Sequence, residues 1–301
     1  MFDTISIIGC GLIGSSILRA IKSKNLAKEI KIFDNSKEVT SYLKKENICS
    51  NVSNDIRQCV INSDLIIIAT PLSSYKEIIL SIKDSLKKNA ILTDTGSVKK
   101  EVMKLIHNIN LKDVYWIPSH PIAGTEESGP KGGQATMFEN RWCIISPPKD
   151  CVAQPIKNLK ALWEKIGSKV KIMTPEEHDE ILSLTSHLPH AIAYNIVRTV
   201  MSVEEKLKEE VIQYSAGGLR DFTRIAASNS LMWRDIFLDN SENISKDIDS
   251  FIERLNELKK AVNDKNGDKL FQIFNSTKEV RKEIVKAGQD TNEPDFGRKK
   301  D

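Results

Sequence analysis

The chain has 301 residues, of which 40% are hydrophobic and 28% charged, and a formal net charge of +3. The length suits two globular domains of ordinary size. The near-balanced charge, with lysines scattered among acids, gives no reason to expect nucleic acid, and no apolar run approaches the ~20 residues that span a bilayer. Cysteines 10, 49, 59, 143 and 151 are odd in number and show no C-x-x-C spacing. They argue against a disulfide framework and for a reducing, cytoplasmic setting.

The apolar, glycine-laced start has no basic segment before it, so it reads as a first strand rather than a signal peptide. Residues 4–8 form a β-branched run that leads into Gly9-x-Gly11-x-x-Gly14 and then a helical pattern. In a strand–turn–helix, Gly9 permits the tight turn, Gly11 lets backbone approach a pyrophosphate, and Gly14 lets helix pack on strand. The free N–H groups at the helix start then face the phosphates. Asp34 lies 20 residues past Gly14, at the end of a second short strand over 29–33. A carboxylate there accepts from the adenosine ribose hydroxyls. It also repels the extra phosphate of NADP, and Asn35 and Ser36 supply no arginine, so NAD is favoured; the nearby Lys37 tempers that preference. Gly9, Gly11, Leu12, Ile13, Gly14 and Asp34 are the expected cofactor contacts.

Up to residue 174, short β-like runs alternate with helical patterns, which predicts a parallel sheet covered on both faces. Helices are expected over 42–46, 74–86, 98–106 and 156–166, and strands over 64–70, 90–94, 114–121, 141–146 and 169–173. Ligands of such sheets bind beyond the carboxyl ends of the strands. Thr70 and Pro71 would lie along the cofactor there, with Thr95 at the next strand end. Ser97 either caps the following helix or points at a ligand, and a hydroxyl can do both. His120, at the end of 114–121 and before the glycine turn at Gly124, is a candidate general base. The competing reading is a buried histidine satisfied by backbone.

From Thr174 no convincing strand follows, so 175–288 is predicted to be all-helical. Pro175 and the acids after it suit a helix start. Apolar residues from Ile181 to Val197 recur at helical spacing, and Pro189 predicts a kink or local break. Further helices are expected over 203–214, 222–228, 231–238, 244–263 and 268–286. The polar tail 289–301 reads as disordered. His187 and His190 share a helical face, with no obvious partner ligand for a metal. His190 could reach the cleft, and His187 could be structural. Paired glycines Gly217 and Gly218 break a helix. Arg220 and Arg224 lie four apart beyond them, and arginine grips carboxylates with two prongs. Arg220 could instead be a surface residue paired with Asp221. Trp233 is packing or a cleft wall.

Taken together, Gly9-x-Gly11-x-x-Gly14, Asp94-Thr-Gly-Ser-Val-Lys99, Ser119-His-Pro-Ile-Ala-Gly-Thr-Glu126, His187-Leu-Pro-His190, Gly217-Gly-Leu-Arg-Asp-Phe-Thr-Arg224 and Met232-Trp-Arg234 resemble the prephenate and arogenate dehydrogenase family of tyrosine biosynthesis. The motifs span about residues 5 to 240, and their order and spacing make the match specific. The resemblance implies an α/β Rossmann-type domain over 1–174 followed by an all-α dimerisation domain over 175–288, assembled as a homodimer through the C-terminal helices. It implies NAD-dependent oxidative decarboxylation of prephenate to 4-hydroxyphenylpyruvate, or of arogenate to tyrosine, with no metal. His120 would take the hydroxyl proton, and Ser97 would bond the substrate hydroxyl and orient His120. Arg224 would hold a substrate carboxylate in a pocket lined by His190 and Gly217, with Trp233 and Glu126 at the pocket or its gate. Arg220 stands where the family often has lysine and is assigned only a supporting charge. No fused chorismate mutase domain is expected before the first strand and no ACT domain after the last helix, so tyrosine inhibition would act at the active site. A β-hydroxyacid dehydrogenase is a second enzyme reading, but that class is expected to carry a catalytic lysine on its interdomain helix. None lies between Glu176 and Val203. An NAD-sensing regulatory protein is the non-enzyme reading, and it predicts cofactor binding without turnover.

Overall fold

A run of β-branched residues meets three glycines at the start of the chain, and the backbone reverses there. Strand β1 (Thr4–Ile8) is followed by helix α1 (Leu12–Ser23). The computed structural model describes residues 2–125 and 127–287, apart from the side chains of Glu205 and Lys206. Glu126 and the tail 289–301, both subjects of expectations above, lie outside the described residues.

Strands β2 (Glu29–Phe33), β3 (Val52–Ser53), β4 (Leu65–Ile68), β5 (Ile91–Asp94) and β6 (Tyr115–Trp116) join β1 in a six-stranded parallel sheet of order β3-β2-β1-β4-β5-β6. The direction of strand addition reverses between β1 and β4, the position at which open α/β sheets bind ligands. Parallel sheets bury both faces. Here Leu65 and Ile67 of β4 join one apolar cluster with Ile5, Ile7 and Ile17, while Ile66 and Ile68 join the other with Ile8, Tyr75 and Leu92. Helices α2 (Lys37–Lys45), α3 (Ile56–Val60), α4 (Tyr75–Ile82) and α5 (Lys100–Ile109) complete this part. The two-residue β3 and five-residue α3 are too short to leave a periodic signal, and neither is in the sequence reading.

The expected strand over 114–121 is two strands in two sheets. Pro118 has no N–H for a ladder, and the chain leaves the parallel sheet there. Strand β7 (Ser119–Pro121) pairs antiparallel with β8 (Trp142–Ile145), which pairs parallel with β9 (Lys169–Ile172), in a separate three-stranded sheet. His120 therefore sits mid-strand in the second sheet, opposite Ile144, and not at the carboxyl end of a strand in the first. Between β8 and β9, helix α6 (Ala153–Lys165) buries Leu159, Leu162 and Trp163.

Helix α7 (Pro175–Leu182) opens with Pro175 in its first turn and a reciprocal cap between Thr174 and Glu177. The disturbance expected near Pro189 takes the form of one π-helical stretch, Ser183–His187, that leads directly into α8 (Leu188–Met201). Helices α9 (Glu205–Gln213), α10 (Gly217–Thr223), α11 (Ser230–Asp239), α12 (Ser241–Asn263) and α13 (Gly267–Lys286) follow. Gly217 and Gly218 open α10, and Arg224 falls in a 3-10 turn beyond its end. The chain forms two compact units, residues 1–244 and 245 onward. In the second, Lys269 pairs with Glu257 at 2.7 Å. No helix among the described residues is long and apolar enough to cross a membrane, and all five cysteines are free.

Candidate active site

The glycine turn divides its three residues between structure and ligand. Gly9 has φ +87°, and a Cβ on it would lie 2.6 Å from Thr70 Cγ2 and 2.7 Å from the Ala69 carbonyl oxygen. A Cβ on Gly14 would run into the Gly9 carbonyl oxygen. Both glycines are thus demanded by packing. A Cβ on Gly11 would meet nothing within 4 Å, so the open space over it is room for a ligand. No side chain caps α1, which leaves its first-turn N–H groups for an anion. The Asp34 carboxylate accepts from the Cys10 amide at 2.7 Å and the Ser36 amide at 2.9 Å, and is thereby fixed beside this turn. The cradle and the acid fit a dinucleotide.

A cleft of about 440 Å³ opens beside the turn. Leu12, Ile13, Thr70, Pro71, Thr95, Ser97, His120 and Trp233 all line it. An adjoining hollow of about 580 Å³ holds His190, Arg224, Glu139 and Arg141. The two share Ile122, Ala123, Gly124, Thr125, Ser228, Met232 and Trp233 as a common wall. His120 and Arg224 therefore face adjoining spaces. Gly217 lines neither. Arg220 is exposed and lies 3.7 Å from Asp221, the surface pairing that was its alternative reading.

His120 is buried, and its Nδ1 lies 2.8 Å from His178 Nε2. His178 Nδ1 lies 2.7 Å from Asp179 Oδ1. The same carboxylate accepts the amides of Lys99 at 2.8 Å and Lys100 at 2.9 Å, so it caps α5 from outside the helix. Ser97 is thus relieved of the capping role that was its alternative, and it faces the cleft. Burial, followed by the nearby His178, Lys99 and His187, holds the His120 imidazole well below its ordinary pKa. His178 is lowered too, chiefly by burial, against the opposing pull of Asp179. Both shifts favour the neutral ring. His178 and Asp179 went unread as functional because, in sequence, they look like ordinary first-turn helix residues; their distance of 58 residues from His120 hides the contact.

Beneath the cleft, Asp94 and Lys99 form an ion pair of 2.6 Å with both side chains fully buried. Asp94 also accepts from the Gly96 amide at 2.8 Å and the Ser119 amide at 3.2 Å. One carboxylate thereby ties the turn that carries Ser97 to the residue before His120.

On the helical side, Trp233 packs with Val98 and Ile236 against Leu72, Tyr194 and Phe237. Asp235 reaches across to accept the Ser73 amide at 3.2 Å, joining α11 to the loop after β4. The His190 ring stacks on Trp233. His190 Nδ1 lies 2.8 Å from the Ser186 carbonyl, which can only accept, so Nδ1 carries the proton and Nε2 is an acceptor. His187 is buried, and its Nδ1 lies 3.1 Å from the Asn240 amide nitrogen. Burial pushes its pKa down to about 4. Among the described residues no group of three or more His, Cys, Asp or Glu is arranged to hold a metal.

Two family models cover most of the chain. The nucleotide-binding domain of prephenate dehydrogenase matches residues 17–172, and the prephenate dehydrogenase dimerization domain matches residues 174–276. The chain belongs to the prephenate dehydrogenase family. Among curated prephenate dehydrogenase relatives, the enzyme of Bacillus subtilis is 32% identical over 282 residues, 93% of this chain and 76% of that protein. The cyclohexadienyl dehydrogenase of Zymomonas mobilis is 38% identical over 281 residues, covering 93% and 96%. The crystal structure of prephenate dehydrogenase from Aquifex aeolicus, in complex with hydroxyphenyl propionate and NAD+, superposes with a TM-score of 0.87 at 32% identity, covering 94% of this chain and 99% of that one.

Proposed function

We propose that this family member catalyses the NAD-dependent oxidative decarboxylation of prephenate to 4-hydroxyphenylpyruvate. The observation that carries the reading is a single cleft, lined by Pro71, Thr95, Ser97 and His120, that shares a wall with the hollow holding Arg224 and His190. Gly9, Gly11, Gly14 and Asp34 would hold the adenosine and pyrophosphate of NAD, with Leu12, Ile13, Thr70, Pro71 and Thr95 along its length. When bound, NAD accepts the hydride from the substrate carbon that bears the hydroxyl. His120 Nε2 takes the hydroxyl proton, and Ser97 holds the hydroxyl oxygen in line with it. As the O–H bond breaks, its electron pair forms a carbonyl conjugated to the carbon that carries the ring carboxylate. The C–C bond to that carboxylate then breaks, its electrons pass through the ring to the carbonyl oxygen, and the ring becomes aromatic as carbon dioxide leaves; the phenolate oxygen takes its proton back from His120 Nε2. Arg224 grips the substrate's side-chain carboxylate, with His190 Nε2 beside it. Neutral His120 is a base that need not lose a proton first.

The 38% identity to a cyclohexadienyl dehydrogenase over nearly its full length favours arogenate as a second substrate of the same site. The matched dimerization-domain model, together with exposed Phe271, Phe274, Val280 and Ile284 on α13, supports a homodimer. The free cysteines suit the cytoplasm.

The test is NADH formation from NAD with prephenate and, separately, with arogenate. His120→Asn should lower kcat by about 10³-fold with little change in KM. Arg224→Ala should raise KM by about 10²-fold, the loss of a charged hydrogen-bonded pair. Absence of turnover with either substrate refutes the reading.

A further inference from the structure

We propose that Asp179 and His178 form a positioning pair that fixes His120 in the tautomer needed of a base and takes up the charge when it is protonated; this rests on His120 being that base. The direction of the chain follows from which atoms can donate. A carboxylate accepts, so the proton between His178 and Asp179 sits on His178 Nδ1. Neutral His178 then has a bare Nε2, which can only accept. The 2.8 Å contact therefore places a proton on His120 Nδ1 and leaves His120 Nε2 bare. One acid, two residues removed from the base along the chain of bonds, decides which nitrogen meets the substrate.

The same chain answers a difficulty of the site. Burial makes an imidazolium costly at His120, and the cation of Lys99 adds to that cost. When the substrate O–H bond breaks and a proton joins His120 Nε2, the Nδ1 proton can pass to His178 Nε2. The positive charge then rests on His178, directly bonded to Asp179. The charged groups that act on the pair are Lys99, held by Asp94, and Asp179. Because Asp179 also accepts the Lys99 and Lys100 amides, it anchors the segment that follows Ser97. The acid that aims the base thus also helps set the hydroxyl beside it.

The test has two independent arms. In the resting wild-type protein, ¹⁵N chemical shifts of the imidazoles should show His120 and His178 both protonated at Nδ1. His120 protonated at Nε2 overturns the proposal, and this arm does not depend on which substrate the enzyme uses. In the second arm, kcat, KM and the pH profile of kcat/KM are measured for His178→Gln, which keeps the Asp179 cap, and for Asp179→Asn. Both should lower kcat on the order of 10²-fold with KM for substrate and NAD within about threefold. The acid limb of kcat/KM should move to lower pH by about one unit, because the protonated pair has lost its share of charge. A kcat near wild type, or a fall of equal size at every pH with the limb unmoved, overturns the proposal and leaves a structural role. A wild-type protein that turns over neither prephenate nor arogenate removes the reaction assignment instead, while the ¹⁵N arm still decides the tautomer.

Discussion

Trp233 and His190 lie face to face, with ring centroids 3.6 Å apart and planes inclined by 25°. Trp233 is also the wall common to the cleft of His120 and the hollow of Arg224. It therefore holds His190, which lines the hollow, while separating and joining the two halves of the site. Replacing it with leucine should release His190 and raise KM about two- to tenfold, the worth of an aromatic pair, with a smaller change in kcat. Trp233→Phe should retain part of the stack and fall between. A KM unchanged in Trp233→Leu, measured on protein of native melting temperature, would reject the positioning role.

Gly11 and Gly14 should fail differently. At Gly14 the added methyl collides with the Gly9 carbonyl oxygen, which is backbone and cannot turn aside. Gly14→Ala should lower the melting temperature or prevent folding. At Gly11 the methyl meets no protein atom, so Gly11→Ala should melt like wild type yet bind NAD at least tenfold more weakly, since the methyl fills the space the pyrophosphate needs. Equilibrium titration of NAD beside a thermal melt separates the two. Equal NAD affinity in Gly11→Ala would remove that glycine from the cofactor site.

The buried Asp94–Lys99 pair predicts a third outcome. Lys99→Met strands a carboxylate with no access to water, a cost of about 3–5 kcal/mol. Asp94→Asn in the same chain removes the stranded charge, so the double variant should be more stable than Lys99→Met alone. Chemical denaturation of the two variants checks this. The double variant should still be slow in turnover, because the Asp94 carboxylate also holds the amides of Gly96 and Ser119, and these carry Ser97 and His120.

How much of this was legible in the sequence depends on the range of the interaction. The strand–glycine–helix start follows from local chemistry and spacing, and the structure has β1, the turn and α1 in that order, with Asp34 bonded to the turn at the Cys10 amide. The division of residues 114–121 between two sheets turns on Pro118 and on where a long-range antiparallel partner lies, which periodicity cannot report. The His120–His178–Asp179 chain joins residues from β7 and α7. A motif search stops at each motif's edge, and the Pro175-Glu-Glu-His-Asp segment looks like nothing more than an acidic helix start. The π-helical stretch before Pro189 was foreshadowed only as a disturbance, since the proline removes a donor without dictating how the helix accommodates the loss.

His187 gives the molecule a pH dependence apart from its chemistry. Its folded-state pKa of about 4 lies below the ordinary histidine value of about 6.5. The unfolded chain therefore binds a proton that the folded chain refuses over that interval. The stability tied to a neutral His187 is fully present above about pH 6.5 and is lost as pH falls toward 4. By pH 4 the loss amounts to about 3 kcal/mol. His120 and His178 are shifted in the same direction and add to it. Carboxylates lowered by hydrogen bonds, such as Asp235, act below about pH 4, and Asp239, raised by burial, is present in wild type and variant alike, so the difference between the two isolates His187. His187→Gln keeps an acceptor for the Asn240 amide and cannot titrate. Its unfolding free energy should therefore fall less steeply than that of wild type between pH 6.5 and 4.5, and identical slopes would show that His187 is charged in the folded protein.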